Sequence, residues 1–211
     1  MPDLVRVDAD HPTEDVVARA AAALRDGGLL IYPTDTLYAL GGRALDAEAG
    51  RRVREAKGRE QGKPLPLVAE GPEQARVLCA EWPPTAGRLA ARFWPGPLSL
   101  VLRASGKVPT EVTAGTGTVA VRVPARALTR RLCDEGPLVA TSANRSGEPA
   151  PARCADAVAA VGRWAALALD GGPGASAAST VVDLTCEAPR LVRAGPIGWE
   201  DVVAVLGARP W

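Results

Sequence analysis

Pro137-Leu138-Val139-Ala140-Thr141-Ser142-Ala143-Asn144-Arg145-Ser146-Gly147 runs four apolar residues straight into a cluster of hydroxyls and an amide. The apolar part reads as a short buried strand and the polar part as the loop that leaves it. In open α/β sheets, ligands bind just outside the carboxyl ends of strands. Ser and Asn in such a loop also bond their own backbone, so a plain turn competes with a binding loop. What the rest of the chain places beside this stretch decides between the two.

Working outward, residues 118–123 form the clearest strand, β-branched with Arg122 and Thr118 on one face. Further strands are expected at 29–32, ending at Pro33, and at 64–69, 98–103, 167–169, 179–184 and 191–193. Helices are expected at 14–26, capped by Thr13 and stopped by Gly27-Gly28, and at 46–56, capped by Asp46. Others fall near 72–80, 85–93, 126–133, 155–161 and 199–206, and Trp94-Pro95-Gly96-Pro97 cannot continue a helix. Strands interleave with helices, so the fold class is α/β. No repeat, low-complexity tract or linker interrupts the pattern, and one domain over 1–211 is expected.

Composition excludes more than it assigns. The 211 residues carry 25 basic and 24 acidic side chains, a net charge of +1, with no global pull toward nucleic acid or membrane. The charge is uneven locally: Arg122, Arg126, Arg130 and Arg131 fall within ten residues that hold no acid. The four cysteines, at 79, 133, 154 and 186, form no C-x-x-C pair, which speaks against zinc and thioredoxin-like sites. There is no signal-peptide pattern and no apolar run of membrane-spanning length, so free thiols in a reducing cytoplasm are expected, with no membrane partner. The only histidine is His11. Serine–histidine and cysteine–histidine catalysis and a His-ligated metal are thereby disfavoured. Chemistry must run on carboxylates, Lys, Arg, hydroxyls and backbone.

Polar groups gather at the ends of the expected strands. Thr34-Asp35-Thr36 follows the first strong one, Lys57, Arg59 and Lys63 lie between a helix and a strand, and Ser179 opens and Arg193 closes the last ones. Lys57 and Arg59 also suit a helix C-terminus, where cations complement the dipole, and Arg122 suits a surface ion pair. The functional alternative is an anion site with converging cations. A charge-assisted bond contributes about 1.5–3 kcal/mol, so three give about 5–9 kcal/mol, enough for millimolar to micromolar binding. Neither a Walker loop nor a GxGxxG fingerprint is present.

The segments occur in a fixed order: Tyr32-Pro33-Thr34-Asp35-Thr36-Leu37-Tyr38-Ala39-Leu40-Gly41, then Lys57-Gly58-Arg59 with Lys63-Pro64-Leu65, then Trp94-Pro95-Gly96-Pro97-Leu98-Ser99. Thr118-Val119-Ala120-Val121-Arg122-Val123-Pro124, Ser142-Ala143-Asn144-Arg145-Ser146-Gly147, Ser179-Thr180-Val181-Val182-Asp183 and Leu191-Val192-Arg193-Ala194-Gly195 complete the set. Together they resemble the YrdC family, the threonylcarbamoyl-AMP synthases, over about residues 27–206.

The resemblance implies a twisted open α/β sheet with flanking helices and a basic concave cavity. It implies synthesis of threonylcarbamoyl-AMP and pyrophosphate from L-threonine, bicarbonate and ATP. Magnesium would accompany the ATP without a protein cage, and separate proteins would transfer the product to tRNA. Carried over by position, Lys57 and Arg59 become the catalytic cations. They hold ATP together with Lys63, Thr118, Ser142, Asn144 and Arg193, while Thr34, Thr36, Arg122, Ala140 and Ser179 hold threonine. Arg122 suits the threonine carboxylate and Asp35 its amino group.

Three positions depart from the family pattern: Ala39 replaces a usual glycine, Ala150 a frequent serine and Ala178 a frequent glutamate. The sequence also resembles the short form, without the extra C-terminal domain of longer relatives, and the glycine-rich 171–178 stretch is a candidate lid. Two rivals compete. A YrdC-like module binding double-stranded RNA is disfavoured by the near-neutral charge and by a single Phe and two Tyr. A carbamoyl-adenylate enzyme of the hydrogenase-maturation type would need acylphosphatase and zinc-finger segments.

Overall fold

Residues 29–33 are apolar without alternation because both faces of the strand they form are covered. Leu29 and Ile31 point into the larger of two apolar clusters, and Leu30 and Tyr32 into the smaller. The computed structural model describes residues 1–59, 62–175 and 177–207. Its strands are β1 (Asp3–Arg6), β2 (Leu29–Pro33), β3 (Tyr38–Gly41), β4 (Leu67–Val68), β5 (Leu98–Arg103), β6 (Thr118–Arg122), β7 (Leu138–Val139), β8 (Thr141–Ser142), β9 (Ala165–Asp170), β10 (Thr180–Asp183) and β11 (Arg190–Arg193). The helices are α1 (Glu14–Arg25), α2 (Ala47–Lys57), α3 (Pro72–Val77), α4 (Pro84–Phe93), α5 (Thr110–Thr113), α6 (Ala127–Arg131), α7 (Cys154–Val161) and α8 (Trp199–Leu206).

The α/β class with flanking helices holds, but the strands divide between two sheets. One has the order β1-β9-β2-β3-β8, the other β11-β10-β5-β6-β4-β7. Each mixes directions: β2 runs parallel to β9 and antiparallel to β3, while β5 runs parallel to β10 and antiparallel to β6.

Several expectations shift in detail. The strand expected at 64–69 shrinks to β4, because Pro64 and Pro66 have no N–H to give a ladder. After Pro33 and the turn at 34–37 the chain returns as β3, a strand not among those expected, and β1, largely exposed, carries no apolar alternation that would announce it. Asp46 caps α2, its carboxylate accepting from the Glu48 and Ala49 amides at 2.9 and 3.4 Å. Thr13 takes the corresponding place before α1, but its hydroxyl makes no capping bond. The arginines of the acid-free run are largely engaged: Arg126 pairs with Asp10, Arg130 donates to the Pro124 and Ala125 carbonyls, and Arg131 reaches Glu14 and Asp134.

Candidate active site

The opening stretch is where the two sheets exchange the chain. β7 closes one sheet, β8 closes the other, and Ala140 alone separates them. Ala140 donates its amide to the Pro66 carbonyl at 2.8 Å, on the β4 side, and Ala143 donates to Tyr38 of β3 at 2.9 Å. The crossing lies so close to β3 that a Cβ on Gly41 would stand 1.6 Å from the Val139 oxygen, and only glycine fits there. The buried Tyr32 hydroxyl donates to that same oxygen at 2.7 Å.

A cavity of about 350 Å³ opens at this exchange. One sheet contributes Tyr38, Ala39, Thr141 and Ser142 to its wall, and the other contributes Leu67, Val68, Ser99, Ala120, Arg122, Val181 and Arg193. Ala120 and Arg122 face the cavity because they alternate along β6 with the core residues Val119 and Val121.

Three guanidinium groups, those of Arg59, Arg122 and Arg193, line the cavity, and no carboxylate does among the described residues. Arg122 is 5% exposed; its Nη2 stands 3.5 Å from Asp35 Oδ1 and its Nη1 has no hydrogen-bond partner. Both Asp35 carboxylate oxygens are likewise buried and unbonded. Burial disfavours the charge on Arg122, Asp35 supports it, and nearby Arg193 opposes it again. On Arg59 the same burial acts first and Arg54 second, and on Arg193 burial acts at the guanidinium that reaches Ser179. Among the described residues, only Arg122 of the three cations has an acid beside it, Asp35, and burial of the other two leaves a wall whose charge suits an anion.

Lys57 and Asn144 lie behind the cavity wall. The Lys57 ammonium, carried by the last turn of α2, faces four oxygens: Ser142 O at 2.5 Å, Asn144 O at 2.7 Å, Asn144 Oδ1 at 3.0 Å and Ser142 Oγ at 3.4 Å. Burial, then repulsion from Arg59, pulls its pKa down to about 8, against the attraction of Glu148. Asn144 completes the loop by donating Nδ2 to the Glu148 carbonyl at 2.6 Å. Both ends of the Asn144 side chain bond within the protein, to Lys57 and to Glu148, and the loop it builds carries Ser142 into the wall.

The hydroxyls divide in the same way. Thr34 Oγ1 organises its own turn, donating to the Leu37 carbonyl at 2.7 Å and accepting from the Thr36 and Leu37 amides. Thr36 stands 2.9 Å from it, hydroxyl to hydroxyl. Ser179 Oγ contacts both Arg193 and Ser99, each at 2.9 Å.

Of the residues singled out by sequence, Thr34, Thr36, Arg59, Arg122, Ala140, Ser142, Ser179 and Arg193 converge on this cavity. Lys57 and Asn144 support it from behind. Thr118, at the far end of β6, pairs with Arg103 and bonds Thr116, and Lys63 uses its carbonyl to accept from Arg54 and Arg59. Ala39, Ala150 and Ala178 all line the cavity, so all three departures from the family pattern fall on its wall. Sequence reading gave no role to Ser99. Its signal is visible in hindsight as the single hydroxyl in Leu98-Ser99-Leu100-Val101-Leu102.

Comparison with known proteins bears on this arrangement. A family model, Sua5_yciO_yrdC, described as telomere recombination, matches residues 22–195. The chain is 42% identical over 191 residues to a threonylcarbamoyl-AMP synthase of Pyrococcus abyssi, and 37% identical over 195 residues to one of Bacillus subtilis. These alignments cover 89% and 90% of this chain and 56% of each relative, so the chain spans just over half their length. The crystal structure of Pyrococcus abyssi Sua5 complexed with L-threonine superposes with a TM-score of 0.91 at 40% identity, over 98% of this chain and 61% of that one.

Proposed function

This chain belongs to the Sua5–YciO–YrdC family, and we propose that it is a threonylcarbamoyl-AMP synthase built as one YrdC-like domain. The threonine amine attacks the carbon of bicarbonate, and the N-carboxylated amino acid forms as water leaves. One of its carbamate oxygens then attacks the α-phosphorus of ATP, and pyrophosphate leaves. The observation that carries the reading is the polarity of the cavity: three arginines and, among the described residues, no carboxylate on its wall, with Arg122 Nη1 and both Asp35 oxygens unpartnered behind it.

That polarity fits an amino acid and a polyphosphate together. Arg122, on the wall, supplies its charge to the threonine carboxylate, and the carboxylate of Asp35, buried beside Arg122, draws the ammonium to the same side. Thr34 Oγ1 spends its proton on the Leu37 carbonyl and accepts from the Thr36 and Leu37 amides, and the Thr36 hydroxyl beside it lines the cavity. Arg59 and Arg193 neutralise phosphate charge that grows on the leaving pyrophosphate, and catalysis is mainly positioning and charge stabilisation. Lys57 acts by holding Ser142 and Asn144 in place. The lone histidine, His11, is exposed in an N-terminal loop, so the ammonium proton leaves to bicarbonate, water or Asp35. The wall offers a cation no carboxylate, and no cluster of three metal-ligating side chains exists among the described residues. Magnesium would accompany the triphosphate and would supply charge neutralisation there.

The surroundings suit a cytoplasmic enzyme whose product passes to tRNA-modifying proteins. All four cysteines are free, and no helix among the described residues is long and apolar enough to cross a membrane. The RNA-binding alternative finds little surface, because Arg126 and Arg131 of the basic run are ion-paired. The deciding experiment is pyrophosphate release from ATP and magnesium, with L-threonine and bicarbonate each omitted in turn. Release that needs both is expected. Release that ignores either one overturns the assignment.

A further inference from the structure

Ser99 is 5% exposed, sits on β5 opposite Val181 of β10, and reaches the cavity. Its hydroxyl has one hydrogen-bond contact, Ser179 Oγ at 2.9 Å. A buried hydroxyl without a partner is costly, so the pair accounts for how Ser99 is tolerated in an apolar strand. Arg193 determines which way the protons run. Its Nη2 donates to Ser179 Oγ and its Nε to the Ser179 carbonyl, both at 2.9 Å. A hydroxyl has one proton and two lone pairs. Arg193 fills one lone pair of Ser179. When Ser99 donates into the other, the Ser179 proton has nowhere to go but the cavity.

We propose that Ser99 is a positioning residue that makes Ser179 an obligate hydrogen-bond donor to an anionic substrate oxygen, the carboxylate of threonine. The inference rests on reading the cavity as a threonine site. The opposite orientation, Ser179 donating to Ser99, would turn a lone pair toward the bound anion. Arg122, Arg193 and Ser179 line the same cavity, and Arg193 bonds Ser179, so both guanidinium groups and the Ser179 proton address one region. Ser99 acts through Ser179 and touches no reacting atom.

The test measures L-threonine binding by calorimetry on wild type and Ser99→Ala, then steady-state rates with threonine and ATP varied separately in Ser99→Ala, Ser99→Thr, Ser179→Ala and the Ser99→Ala/Ser179→Ala pair. Loss of one oriented hydrogen bond corresponds to about a tenfold rise in the threonine KM of Ser99→Ala. The ATP KM and kcat are expected within about twofold of wild type, with most of the loss recovered in Ser99→Thr. Adding Ser99→Ala to Ser179→Ala is expected to cost nothing more, a non-additivity that a general packing defect would not give. A threonine KM left unchanged in Ser99→Ala, a rise confined to ATP, or the full tenfold loss in the Ser179→Ala background overturns the proposal. If wild type binds no threonine, the threonine site itself falls and takes this inference with it. A wild type that binds while Ser99→Ala binds equally well removes the role of Ser99 alone.

Discussion

Replacing Arg122 with alanine separates binding from folding at the most deeply buried cation of the cavity. The guanidinium has one nitrogen 3.5 Å from Asp35 and another with no partner at all. A carboxylate that takes both a lateral and a terminal N–H gains two charge-assisted bonds of about 1.5–3 kcal/mol each, about 3–6 kcal/mol together. Arg122→Ala should then raise the threonine KM by roughly 10²–10⁴-fold, with the ATP KM within about threefold of wild type. Arg122→Lys keeps the charge but loses the fork, and should lie between the two. The substitution also strands Asp35, a buried carboxylate whose oxygens accept no hydrogen bond, and removing one partner of such a pair destabilises by about 3–5 kcal/mol. Arg122→Ala combined with Asp35→Asn removes that stranded charge. The assay is pyrophosphate release with each substrate varied, alongside urea unfolding. The double variant should regain most of the stability and none of the threonine affinity. Equal rises in both KM values, or a threonine KM that recovers together with stability, would refute the assignment of Arg122 to the carboxylate.

Three further outcomes follow from particular contacts. The Lys57 pKa lies near 8 in the folded protein, against 10.5 ordinarily, so the unfolded chain holds more protons between those values and stability should rise with pH across roughly 8–10.5; urea midpoints through this window should flatten in Lys57→Met. Tyr32→Phe removes the donor to the Val139 oxygen and should cost about 1–2 kcal/mol in urea unfolding while leaving both KM values unchanged. Gly41→Ala puts a methyl group into the Val139 carbonyl, and loss of soluble protein or a cost above about 3 kcal/mol is expected from thermal melts.

Much of this site was legible in the sequence because polar residues recur at strand ends in a fixed order. Thr36, Arg122, Ser142 and Ser179 all stand out against apolar runs, and all four reach the cavity. What sequence could not reveal is which polar atoms are already spent. Lys57, Arg59 and Asn144 read alike as candidate ligands, yet only Arg59 lines the wall, and Lys57 and Asn144 hold each other. Their long-range pairing depends on where α2 ends relative to β8, which no local periodicity encodes. The two-sheet division was hidden for a similar reason: 137–140 is one apolar run in sequence, but β7 pairs with β4 while the residues just after it pair with β3. Ser99 escaped notice because a lone serine in an apolar strand is ordinary until its partner across 80 residues is known.

The single-residue link at Ala140 also limits how this chain length can vary. A strand's faces alternate every residue, so one inserted residue between Val139 and Thr141 would force β7 or β8 to present its opposite face. Either the Leu138 side chain would leave its cluster or Ser142 would turn from the cavity. Insertions and deletions should therefore be excluded here while the exposed turn Cys186-Glu187-Ala188 between β10 and β11 admits them. Libraries that scan every position with one-residue insertions should show a sharp trough centred on Ala140, narrower than any trough made by substitutions.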